Sequence, residues 1–159
     1  MRNGILLGLI ALLAAAPASA QSVDDPVFLR SIRSIGDNTS GRRVANNAVV
    51  DKVVCITREN GRLIVIQIRA LAPGAPSAQI EVPARAVAIL RTRAATPGGN
   101  AAPDPDDIAF AARTGLSLFI VGEWATPPVI WEVARLEGRV RVRAIDSDGR
   151  PGPWRALAS

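Results

Sequence analysis

The sequence predicts a mainly β protein, a single antiparallel β-sandwich of about seven to eight short strands with one or two short helices. Three observations predict it. From Val49 onward, short runs rich in Val, Ile and Leu recur between turn residues. Several of these runs alternate apolar and polar side chains, the period of a half-buried strand. Finally, Cys55 is the one cysteine and histidine is absent. No intrachain disulfide or imidazole metal site can brace the fold, so it must rest on its hydrophobic core.

The elements follow in chain order. Met1-Arg2-Asn3, the apolar run Ile5 to Ala16 and the small-residue site Ala18-Ser19-Ala20 have the form of an export signal. Cleavage after Ala20 is expected, leaving a periplasmic or secreted protein. The apolar run would span about 18 Å as a helix, short of the ~30 Å hydrocarbon core. Residues 21–48 read as a helix with a loop or mobile arm. Asp24-Asp25-Pro26 starts the helix, Phe28, Leu29, Ile32 and Ile35 form its apolar stripe, and Gly36 is expected to end it. Asp37 to Asn47 is polar and rich in turn formers.

Residues 49–159 are expected to form the sandwich. Val49–Arg58 and Arg62–Leu71 are strands joined at Glu59-Asn60-Gly61, a tight hairpin signal. Ala78–Val82 and Ala86–Arg93 are the next strand candidates. Residues 95–103, rich in Ala, Gly and Pro, read as a flexible loop within one core, because the residues from Asp104 onward are too few to be stable alone. Asp104-Pro105-Asp106-Asp107 caps a helix running to about Arg113, with Thr114-Gly115 ending it. Strands return at Leu116–Val121, Val129–Ala134, Arg139–Ile145 and briefly near Trp154.

Composition narrows the chemistry. Without histidine there is no Ser-His-Asp or Cys-His pair. Cys55, within Val53-Val54-Cys55-Ile56, reads as a small buried hydrophobe. No metal and no cofactor are expected. The 19 basic residues exceed the 14 acidic ones, and all but Lys52 are Arg. Guanidinium forks suit carboxylate, phosphate and sulfate oxygens. For an exported chain this points away from nucleic acid, toward an envelope protein or an anionic glycan.

Arg139, Arg141 and Arg143 alternate with Val140, Val142 and Ala144, so one face of a strand would carry three guanidinium groups about 6.5 to 7 Å apart. The comb is either a surface for anionic partners or a solvated face neutralised by Glu132 or Glu137. Trp131 and Trp154, with Trp124, offer a stacking or contact platform beside these arginines, or else large pieces of core. Asp146-Ser147-Asp148-Gly149 has the letters of a calcium-loop fragment and equally those of an Asp-Gly turn. Asp104, Asp106 and Asp107 could hold calcium or cleave glycosides, but helix N-termini attract acidic residues in any case.

The segment Gly138-Arg139-Val140-Arg141-Val142-Arg143-Ala144-Ile145-Asp146-Ser147-Asp148-Gly149-Arg150-Pro151-Gly152-Pro153-Trp154 resembles the last hairpin of fibronectin type III domains. Val140, Val142 and Ala144 match the inward positions and Gly149 the turn glycine, whereas Gly138 stands where that family usually has Tyr. The resemblance implies a non-catalytic, immunoglobulin-like module for spacing, adhesion or protein binding. The expected function is therefore a small exported binding module of the bacterial envelope, using an Arg-lined sheet face for anionic or protein partners. The alternatives are a structural accessory envelope protein without a small ligand and a glycan hydrolase using carboxylates such as Glu123 and Glu132.

Overall fold

The computed structural model describes residues 26–40, 51–72, 74–93, 101–122 and 129–156. Residues 1–20, expected from the sequence to be an export signal, lie outside the described residues, as do most of the polar loop after Asp37, residues 95–100, Glu123, Trp124 and Pro127-Pro128.

The protein is mainly β, with seven strands and two α-helices in the order α1 (Pro26–Ser40), β1 (Asp51–Glu59), β2 (Arg62–Leu71), β3 (Ala88–Arg93), α2 (Pro105–Thr114), β4 (Ser117–Gly122), β5 (Ile130–Leu136), β6 (Arg139–Ile145) and β7 (Arg155–Ala156). All seven strands lie in one sheet, ordered β2-β1-β3-β4-β5-β6-β7. Neighbours pair antiparallel except β3 and β4, which run parallel with Ala88 beside Ser117 and Arg93 beside Gly122. The layers packed on this sheet are helices. The reason is visible in β3 and β4, where Ala88-Ile89-Leu90 and Leu118-Phe119-Ile120-Val121 are buried on both faces. Strands apolar on both faces need cover on both sides, and a crossover helix supplies it between parallel neighbours.

On one face Phe28, Leu29 and Ile32 of α1 pack against Val54, Ile56, Leu90, Phe119, Val121, Ile130 and Ile145. On the other, Phe110 and Ala111 of α2, with Ile80 and Ala101, cover Val53, Cys55, Ile89, Leu118, Ile120, Val133 and Val142. Burial raises the Cys55 thiol pKa, as expected of a thiol held among apolar side chains.

The helix does not stop at Gly36; it continues to Ser40. A Cβ at Gly36 would lie 3.1 Å from Val121 Cγ2, so the glycine there permits close approach of helix to sheet. The β1–β2 hairpin turns at Asn60-Gly61 as expected, and β5–β6 turns at Glu137-Gly138. All four residues have positive φ, as two-residue hairpin loops whose twist matches the strands require. Ala78–Val82 is not a strand. Ser77–Gln79 form a short 3₁₀ turn instead, with Ser77 fully buried against the sheet and Ile80 anchored in the core. None of the described helices is long and apolar enough to cross a membrane.

Candidate functional site

Two polar clusters are buried within the fold. The first lies on the α2 side of β3. Arg91 shares a face with Ile89, and its guanidinium donates to Asp51 Oδ2 at 3.0 Å, to Ser77 Oγ at 2.8 Å and to the carbonyl of Ala75. Ser77 in turn donates to Asp107 Oδ1 at 2.6 Å. Asp107 is also the N3 residue of α2. Its Oδ2 accepts from the N–H of Asp104 at 2.9 Å, while Asp104 Oδ1 accepts from the N–H of Asp107 at 2.9 Å, closing a reciprocal cap. Arg93 bridges both carboxylates, 3.0 Å from Asp104 Oδ2 and 2.8 Å from Asp107 Oδ2.

These contacts give Asp104 and Asp107 their partners within the protein, while Asp106 is exposed in the first turn of α2. The arrangement fastens the 3₁₀ turn and α2 to the sheet, since Arg91 and Arg93 of β3 bond to Asp51, Ser77 and Asp107, and Ser77 bonds to Asp107. Arg91 Nε is buried without a hydrogen-bond partner.

Burial alone would raise the Asp104 pKa, but the backbone donor of Asp107, the Arg93 charge and further hydrogen bonds together hold it below its ordinary value of 3.8. A lowered carboxylate pKa favours the folded state above the unfolded value, and the advantage is lost as pH falls through the folded one. Chemical denaturation between pH 6 and pH 2 should therefore show stability falling below about pH 4. The Asp104→Asn variant should lose part of that dependence.

The second cluster involves the arginine comb. Arg139, Arg141 and Arg143 do share one face of β6, the α1 side, opposite Leu136, Ala134 and Glu132 on β5. Their environments differ. Arg139 is exposed and Arg141 half-buried, whereas the Arg143 side chain is only 2% exposed. Arg143 Nε donates to Glu132 Oε2 at 2.7 Å, and Ser117 Oγ donates to Glu132 Oε1 at 3.0 Å. The Arg143 guanidinium carbon lies over the Trp154 ring, 4.2 Å from its centroid. Glu132 is thus the neutralising partner its register suggests, held in an ion pair that leaves it no access to solvent. Trp154 joins this cluster, while Trp131 packs against the α2-side core on the opposite face. The structure therefore brings together Arg143 and Trp154 but not the five candidate residues.

The Asp146 loop is a turn held by its own carboxylate. Asp146 Oδ1 accepts from the N–H groups of Asp148 at 2.9 Å and Arg150 at 2.8 Å. Among the described residues no group of three or more acidic or cysteine side chains is arranged to hold a metal ion.

The most exposed apolar feature is one that sequence reading passes over. β2 is an edge strand of ten residues. Ile64, Val65 and Ile68 on it, Val87 beside β1 and Val27 on α1 are the exposed large hydrophobics of the described residues, Ile68 at 56% and Val27 at 60%. Val87 N–H donates to the Ile56 carbonyl, and Arg58 of β1 lies over the ring of Phe28, next to Val27. Val65 and Ile68 lie on the α1 side of the sheet, the side of Val27, and Ile64 lies on the α2 side. The sequence marks Arg62–Leu71 as the second strand of a hairpin, and its place at the sheet edge follows only from the strand order. The opposite edge, β7, is only two residues long.

Comparison with known proteins gives no family assignment: no family model matches the chain, and no curated protein or solved structure matches it either.

Proposed function

We propose that the chain is an exported, non-catalytic interaction module that contacts a partner protein through edge strand β2. The observation that carries this reading is the ten-residue β2 edge, exposed along most of its length and bearing Ile64, Val65 and Ile68. A long, exposed edge bearing apolar side chains is a template for strand addition. The export signal and the local likeness of residues 138–154 to a fibronectin type III hairpin support the same reading, a module of the bacterial envelope without an active site of its own. Burial of Glu132 and the capping role of Asp104 and Asp107 weigh against carboxylate catalysis.

A second reading, contact with anionic glycan or an acidic protein through the comb, retains Arg139 and Arg141 at the surface. Crosslinking in the native envelope separates the two. Ile68→Lys should abolish capture of the partner, and Arg139→Glu with Arg141→Glu should leave it intact. The reverse pattern would transfer the contact to β6.

A further inference from the structure

Resting on β2 as the contact strand, we propose that its occupant is an extended segment in which apolar and acidic residues alternate, added to the sheet as an eighth strand.

The two faces of β2 differ in chemistry. Pairing with β1 sets Leu63 opposite Arg58, Val65 opposite Ile56, Ile68 opposite Val54 and Ala70 opposite Lys52, all on the α1 side. It sets Arg62 opposite Glu59, Ile64 opposite Thr57, Gln67 opposite Cys55 and Arg69 opposite Val53, on the α2 side. The register shift at Cys55/Ile56 leaves Ile66 without a counterpart, and its side chain packs toward the α2-side core. This bulge keeps Val65 and Ile68 on the same face although they are three residues apart. One side of the edge is consequently apolar from end to end, while the other carries a guanidinium near each end.

A strand added to β2 repeats this division, because directly opposed residues point to the same face. Side chains beside Leu63, Val65, Ile68 and Ala70 must be apolar to exclude water. Those facing Arg62 and Arg69 gain by being acidic, since opposite charges across a ladder stabilise and like charges destabilise. The surroundings keep that side basic: Arg85 lies at the Arg62 end, and Glu59 and Glu81 only partly offset the three arginines. Arg69 pairs with Glu81, but both side chains are largely exposed, and such pairs exchange partners at little cost. A second copy of this chain would match the apolar side and bring two more arginines to the charged one, so charge selects a different partner.

The test uses capped synthetic peptides of about ten residues, the length of β2, alternating Val with Glu, Val with Lys or Val with Thr, titrated into the purified protein by fluorescence anisotropy. The Val/Glu peptide should bind about tenfold tighter than Val/Lys at low ionic strength. That difference should shrink in 1 M salt and vanish in the Arg62→Ala, Arg69→Ala variant, both positions being at the surface. Ile68→Lys should weaken every peptide.

Equal binding of Val/Thr and Val/Glu would overturn the acidic preference while leaving β2 as the contact strand. Failure of all peptides, with sedimentation equilibrium showing a dimer that Ile68→Lys dissociates, would assign the edge to a second copy. Failure of all peptides with no dimer would overturn both the proposal and the reading beneath it.

Discussion

Replacing Arg91 with alanine is expected to lower the free energy of unfolding by about 3–5 kcal/mol, a large fraction of the 5–15 kcal/mol typical of a native protein. The Arg91 guanidinium is the common partner of Asp51, Ser77 and the Ala75 carbonyl, and it sits 3.7 Å from Asp107. Its side chain is 2% exposed and that of Asp51 1%. Alanine would take the Arg91 guanidinium away from the buried Asp51 carboxylate and would remove the tie between Ser77 and β3. Urea unfolding followed by circular dichroism measures the loss. The Arg91→Met, Asp51→Leu double variant should recover much of it, because an ion pair replaced as a unit by apolar side chains leaves no orphaned charge. A loss below about 1 kcal/mol in the single variant would mean that solvent or another cation reaches Asp51, and the staple described above would not exist.

Phe119→Ala should cost a comparable amount, about 3–5 kcal/mol. Phe119 lies on β4 directly beneath α1, fully buried, with its ring centroid 6.0 Å from that of Phe28. Truncation opens a cavity between helix and sheet that rigid neighbours on β3 and β5 can only partly fill. The control is Val27→Ala, one residue before Phe28 in the chain but 60% exposed, expected within about 0.5 kcal/mol of wild type. If both substitutions were equally mild in urea unfolding, α1 would not be docked on the sheet in solution.

The local features of this fold are those a sequence states openly. Asn60-Gly61 sets a hairpin by its own backbone preference, and Asp104-Pro105 with Gly115 brackets α2 at both ends. The strand β4 follows an apolar run, and β6 an alternation of Arg with Val and Ala that ends at the Asp146 turn. What sequence does not state is which strands become neighbours. β3 and β4 are joined in parallel across α2, a choice governed by burial of both strand faces and invisible to the alternation within either strand. Gly36 has the look of a stop signal, and only the nearness of Val121 reveals its purpose.

The site was legible to the same degree. Glu132 could be named as a partner for the β6 arginines because adjacent strands joined by a short turn have few registers. The Arg91 cluster could not, since Asp51, Ser77, Arg91 and Asp107 come from four separate segments that only the folded chain assembles. One signal was present: an arginine following Ala88-Ile89-Leu90 in a strand apolar on both faces, where a charge must find a buried partner. The strand β2 was legible as the second arm of a hairpin, but its place at the sheet edge was not, because no pattern within a strand states how many neighbours it will have.

The parallel junction at the centre of the sheet also governs the order in which the chain can assemble. The β1–β2 and β5–β6 hairpins each close over two residues, and such hairpins form within about 1–10 µs. Neither needs the rest of the chain. The seam between Ala88–Arg93 and Ser117–Gly122 offers no comparable local start, because its two strands meet only after α2 has been laid across the face between them. Loop closure must be met there before the ladder and the α2 contacts reward it. The two hairpins are therefore quick, locally encoded units, and the pairings of β3, with β1 across 32 to 40 residues and with β4 across 29, are expected to form after them.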